Sequence, residues 1–240
     1  MPEDAPPDDG DGSEACVRVF ENEDLRGYDF ERQVLSRSRF EGCLLSGASF
    51  RGADLEGASF QGCRAWEADC PTGADFSFAN LREARFRRCD LSMCIFTRAR
   101  GYELALEDCQ AQGADFSRLD ARFPIASREP LVAITLRACN LAYADFSHCN
   151  LTGADLSGSR LIEAVLENCC LSNADLTAAD LNNVSGRGMI LAGADLRGAT
   201  FNGLDPRTID LTGVRITPEQ VPMLLEPLGV ILDVEWPPGR

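Results

Sequence analysis

Between Leu136 and Ile216 a large apolar residue returns at every fifth position. Leu or Phe fills 14 of the 17 places on that grid, from Leu136, Leu141 and Phe146 to Leu196, Phe201 and Leu211. Two residues before each stands a small side chain, as at Ala144, Cys149, Ala154, Ser159 and Ala164, and Asp or Asn often lies directly before it. Gly often follows two residues later, as at Gly153, Gly193 and Gly203, so the unit reads A-D-L-x-G. A period of five suits neither an amphipathic helix nor a simple strand. A repeat this strict defines a solenoid. Large and small apolar residues two apart point the same way in extended chain. A Gly-bearing turn then bends the chain before the next unit. Each unit buries its apolar pair only against the coils above and below it.

The same grid starts near Leu25 and runs through Phe30, Leu35, Phe40, Leu45, Phe50, Leu55 and Phe60. The early inward sites Glu23, Tyr28 and Gln33 suit a first coil acting as a cap. The spacing then slips, since Phe60 and Phe76 lie 16 residues apart. The slip predicts a loop over about 66–73, carrying Trp66, Glu67, Asp69, Pro71, Thr72 and Gly73. A second departure, over 118–130, holds Arg118, Asp120, Arg122, Phe123, Pro124, Ile125, Arg128 and Pro130. Proline cannot donate to a ladder, which predicts a second, larger projecting loop there. Aromatic and Arg side chains are the usual anchors of interfaces. Both loops are therefore expected to face outward and to carry partner recognition.

The repeat fades near Ile216. Thr217 and Gln220 have the spacing of a capping box. Val221, Leu224, Leu225 and Leu228 follow as one helical apolar stripe, which Pro227 and Gly229 end. Val230, Ile231 and Leu232 read as a short strand. A solenoid end must be capped, yet this apolar surface, Ile231 included, exceeds what one coil end needs. Residues 217–234 are therefore expected to form a symmetric dimer contact. Residues 1–15 are acidic and rich in Pro and Gly, the composition of a disordered tail. The solenoid proper is expected over 18–216.

The chain has 38 acidic residues against 23 basic ones, all of them Arg, for a net charge of −15. That balance argues against direct nucleic-acid binding and for a basic partner surface. Of the eleven cysteines, eight (Cys43, Cys63, Cys89, Cys94, Cys109, Cys139, Cys149 and Cys169) hold the small inward site, which predicts buried thiols rather than disulfides or metal ligands. The single histidine, His148, faces outward and builds no nucleophile–base pair. No phosphate loop or metal-ligand spacing stands apart from the repeat, so no enzyme, cofactor or metal is expected. No apolar run approaches a membrane span, and the N-terminus lacks a signal pattern, so the expected location is the cytoplasm.

Tandem A-D-L-x-G units resemble the pentapeptide-repeat family. That resemblance implies an all-β solenoid, a right-handed quadrilateral β-helix with four units per coil. It would also stack Cys43 with Cys63, Cys89 with Cys109, and Cys149 with Cys169. Four strings are similar to the Qnr quinolone-resistance branch: Val19–Asp24, Cys139–Tyr143, Gly203–Pro206 and Leu224–Ile231. This narrower resemblance implies two loops, a smaller and a larger, and a homodimer formed through the C-terminus. As partners it implies DNA gyrase and topoisomerase IV, relieved of fluoroquinolone poisoning by a DNA-like acidic rod. The loop residues differ from the family's, so it assigns no role to any one of them. A non-catalytic scaffold, or an immunity protein against another toxin, would use the same rod without the loops or the Leu224–Ile231 string.

Overall fold

The computed structural model describes residues 17–122 and 134–231. The chain winds into a four-sided β-helix. Six short strands pair in parallel in chain order: β1 (Val19–Glu21), β2 (Arg39–Glu41), β3 (Ser59–Gln61), β4 (Arg85–Arg87), β5 (Leu104–Glu107) and β6 (Ile134–Arg137). Phe20 lies on Phe40, then Phe60, Phe86, Leu106 and Leu136, one per coil. This column is side one. Three columns of single bridges make the others: Asp24–Leu44–Arg64–Asp90 on side two, Asp29–Ser49–Asp75–Ile95 on side three, Val34–Asp54–Asn80–Arg100 on side four. Asp195 on Arg215 is the last rung on side one, where the sequence loses its grid.

At most corners the amide three residues on closes a turn onto the carbonyl of the large residue, as Tyr28 onto Leu25 at 3.1 Å and Ala48 onto Leu45 at 2.9 Å. The residue two after the large one is left-handed, as in a type II turn. Glycine adopts that backbone without cost, which explains the G of the unit. Among the described residues, 19 corners nevertheless hold another residue there, so the edges of the rod are loaded with side chains. The Asp of the unit has its own reason. Its Oδ1 accepts the amide two residues on, as Asp29 from Glu31 at 2.8 Å, Asp145 from Ser147 at 2.7 Å and Asp175 from Thr177 at 2.9 Å. Asp competes well for such local bonds, here at the bend.

Inside, the upper coils alternate Phe and Leu by side. On side one Phe20, Phe40, Phe60 and Phe86 stack with centroids 4.4–4.6 Å apart. On side three Phe30, Phe50, Phe76, Phe96, Phe116 and Phe146 stack at 4.7–5.0 Å. The two stacks meet edge to face, Phe76 against Phe86 at 5.6 Å. Both arrangements suit the ring quadrupole.

The eight inward cysteines are all buried, and the ten cysteines among the described residues are free. Five of them form a column and do more than fill space as small hydrophobes. Cys43, Cys63, Cys89, Cys109 and Cys139 donate Sγ–H to the carbonyls of Phe20, Phe40, Phe60, Phe86 and Leu106 in the coil before, at 3.3–3.5 Å. Each follows one of the strands, and Cys149, which does not, donates in the same way to Phe116 O at 3.0 Å. Ser159 is the next rung: its Oγ donates to Leu136 O and accepts the Cys139 amide at 2.9 Å. Ser159→Ala strands that buried amide and is expected to cost about 1–3 kcal/mol in urea unfolding. Ser159→Cys, the residue of the upper rungs, should recover most of it. An Ala variant as stable as the parent would show that the rung carries nothing. Burial also pushes the Cys94, Cys149 and Cys169 thiols up, Cys149 to about 12, which keeps them protonated and unreactive near neutral pH.

Candidate functional site

Two coils are longer than the 20-residue step, and the extra length falls at two places. From Phe60 to Phe86 the step is 26 residues. The excess leaves the coil between Ala65 and Ala74, both fully buried, and the Ala74 amide closes the gap onto Ala65 O at 2.8 Å. This loop sits at the edge between sides two and three. Its re-entry needs a glycine: a Cβ on Gly73 would lie 2.7 Å from Ser92 O and 2.9 Å from Cys94 N. Glu67 reaches back two coils to Arg26 at 3.4 Å. Arg26 in turn grips Asp24 and holds its carboxyl down to about 2. The loop thus leans over side two. Trp66, expected to face outward, is half-buried and its Nε1 is enclosed without an acceptor; Asp69 and Thr72 are exposed.

The second step, from Leu106 to Leu136, is 30 residues. Here the expected boundary is corrected. The repeat does not end at Arg118. Leu119 and Ala121 are buried in the core, and Asp120 bridges to Arg100 on side four. Leu119 fills a small inward site, and that larger residue is what masked the repeat in the sequence. Arg118 and Arg122 are exposed, and Arg122 pairs with Asp120 at 2.7 Å. The remaining candidates of this loop, Phe123, Pro124, Ile125 and Arg128, lie outside the described residues, as do residues 1–15 and Leu232.

At the C-terminus three short helical segments replace the single expected helix: a 3-10 turn at Pro218–Gln220, α1 (Val221–Leu225) and a second 3-10 turn at Glu226–Leu228. Pro222 and Pro227 each remove a helix amide, which breaks the run. Gly229 closes it in the left-handed conformation. Met223 and Leu224 pack against the core. Leu225 is partly buried, whereas Val221, Leu228, Val230 and Ile231 are exposed, Ile231 at 93%. Val230 and Ile231 form no strand. The candidate dimer residues therefore divide between a capping face and an uncovered one.

Among the described residues no cluster of His, Cys, Asp or Glu could hold a metal, and no helix is long and apolar enough to cross a membrane. Shallow grooves among the described residues include one of about 330 Å³ beside Arg87, Arg88 and Glu107 and one of about 430 Å³ beside Val184, Leu204 and Ile209. Neither brings a nucleophile to a base.

A family model described as pentapeptide repeat region matches residues 33–116, and one described as pentapeptide repeats (8 copies) matches residues 131–168 and 169–205. The chain is 33% identical over 98 residues to the pentapeptide repeat protein QnrB4 of Escherichia coli, and equally to the quinolone resistance pentapeptide repeat protein QnrB96 of Scandinavium goeteborgense. These alignments span 41% of this chain and 46% of each relative, about half its length. The solved structure of full-length QnrB1, a plasmid-mediated fluoroquinolone resistance protein, superposes with a TM-score of 0.83. It is 30% identical, and the match covers 88% of this chain and 100% of that one. The fold is thus that of a pentapeptide-repeat solenoid. The chain belongs to the Qnr family of pentapeptide-repeat proteins.

Proposed function

We propose that this protein confers quinolone resistance by binding DNA gyrase and topoisomerase IV and protecting them from fluoroquinolones. The observation that carries the reading is the likeness to QnrB1 over that protein's whole length. Nine coils at strand spacing give a slender rod of about 45 Å, interrupted at two edges by loops. The two loops are the proposed contact elements, and the uncovered apolar residues at the C-terminus the proposed homodimer contact. The acidity divides into parts. Six acidic residues and no basic one fall in residues 1–16, and many Asp side chains of the coil bond their own turns. Loops and rod surface together, rather than a uniform DNA-like charge, suit this reading. The protein acts without catalysis, in the cytoplasm where its partners work.

Expression in a susceptible bacterium should raise the inhibitory concentration of ciprofloxacin several fold. Purified protein should restore supercoiling by drug-inhibited gyrase. Replacing residues 66–73 by a tight turn, or excising the second loop from beyond Arg122, should remove the effect and leave the far-ultraviolet circular dichroism unchanged. Folded, soluble parent protein without effect in either assay would favour the scaffold or immunity role instead.

A further inference from the structure

One edge of the rod differs in charge from the protein as a whole. It lies between sides three and four, and the residues at its corners in successive coils are Phe78, Arg98, Arg118 and His148. The amides fix the stacking: Phe78 bonds Thr97 O at 3.1 Å, Arg98 bonds Ser117 O at 3.2 Å, and Arg118 bonds Ser147 O at 3.0 Å. Phe78 is 43% exposed, with the Arg51 guanidinium 4.8 Å and the Arg98 guanidinium 5.8 Å from its ring centroid. Arg98 and Arg118 are exposed, and neither forms an ion pair among the described residues. The other three edges of these coils differ. One carries Glu83 and Glu103, one Arg88 and Asp108, and one Met93, Gly113 and Tyr143.

The place of this edge gives it meaning. Phe78 stands four residues after the first loop re-enters at Ala74, and Arg118 stands four residues before Arg122, where the described coil stops ahead of the second loop. The edge therefore joins the roots of both loops across sides three and four. All three residues take left-handed backbone, with φ of 61°, 58° and 58°, and the same column holds Gly52 and Gly188. Glycine is the easier residue there, so the side chains are not required by the turn.

We propose that Phe78, Arg98 and Arg118 form an interaction ridge that seats on a carboxylate-rich protein surface of the topoisomerase; this rests on the function proposed above. Guanidinium groups beside an aromatic face recognise carboxylates and anchor interfaces. A nucleic-acid backbone fits less well. Duplex binding rests on neutralising many phosphates along a track. Two exposed guanidiniums one coil apart, confined to the edge by Asp115 and Asp145 on side three and Asp120 on side four, instead suit a local carboxylate site.

The test is the triple variant Phe78→Gly, Arg98→Gly, Arg118→Gly, in which each substitution relaxes the backbone. Its thermal midpoint should equal or exceed the parent's. Its affinity for purified gyrase without DNA should fall about tenfold or more, and the salt dependence of binding should weaken with it. A triple variant that binds gyrase as tightly as the parent overturns the ridge and leaves the functional reading standing. A parent that binds neither gyrase nor topoisomerase IV overturns the functional reading and this partner together. A parent that binds duplex DNA alone, and loses that binding in the triple variant, replaces carboxylates by phosphates and overturns the assignment.

Discussion

Phe86→Ala should lower the unfolding free energy by about 3–5 kcal/mol, the usual cost of emptying a large aromatic site in a core. The site is among the least able to collapse. Phe86 is fully buried. It stacks on Phe60 at 4.4 Å and meets Phe76 and Phe96 edge to face at 5.6 and 6.1 Å. Its backbone is pinned by parallel pairing to both β3 and β5, so the coil cannot close over the void. It also ends its stack, because the next residue in the column is Leu106. Phe86→Leu therefore extends the Leu part of the column upward by one coil and should cost much less than Ala. In a solenoid each coil contacts only its neighbours, so the Ala variant should also lose cooperativity. The coils on either side of β4 then unfold at different denaturant concentrations. Urea unfolding followed by circular dichroism and by hydrogen exchange of the β3 and β5 amides reads both effects. A loss below about 1 kcal/mol with one sharp transition would show that the Phe stacks merely fill space.

The solenoid was legible in the sequence because its signal is translational. A five-residue grid with a large residue inside and a small one two before it has few other physical solutions, and the columns Phe20 to Leu136 and Phe30 to Phe146 are that grid seen along the axis. The first loop was legible for the same reason. One residue of phase slip between Phe60 and Phe76 places it, and the coil does close between Ala65 and Ala74. The second loop was placed too early because Leu119 and Ala121 reverse the usual order of small and large inward residues, while both stay buried. Three features were less legible because they depend on which unit lies one or two coils away. The stacking of cysteines 20 residues apart was legible, but not the thiol-to-carbonyl bonds between coils, nor Ser159 as the rung after Cys139. Glu67, next to the half-buried Trp66, pairs with Arg26, which lies 41 residues before it and two coils away. The basic edge appears only when Phe78, Arg98 and Arg118 are read down the rod, since along the chain each is followed by acidic or neutral units.

Gln220→Ala should cost about 2–4 kcal/mol, three hydrogen bonds at roughly 1 kcal/mol each plus the burden of the Ala199 carbonyl left unpaired, since Leu196 O keeps the Ala199 amide. In the coils above, the amide 21 residues on satisfies the carbonyl of the small inward residue on side two: Asp180 N to Ser159 O, then Thr200 N to Ala179 O, both at 2.9–3.0 Å. By that rule the amide of residue 220 would satisfy Ala199 O. The chain has turned into the cap by then, and the backbone amide of Gln220 bonds Thr217 O instead. The Gln220 side chain takes over the missing rung. Its Nε2 donates to Ala199 O at 2.7 Å and to Leu196 O at 2.6 Å, while its Oε1 accepts the Thr217 amide at 2.7 Å. The residue is 4% exposed, so water cannot replace it. One side chain thus ends the solenoid and fixes the entry of α1. In the Ala variant Met223 and Leu224 lose their seat on the core, and the proposed dimer contact through Val221, Leu228 and Ile231 loses its geometry. Three readouts follow: a lower thermal midpoint, faster hydrogen exchange at Leu196–Thr200, and light scattering at the mass of one chain rather than two. An unchanged midpoint and exchange rate would show that α1 holds itself in place. A dimer that survives once the cap has loosened would put the contact elsewhere on the rod.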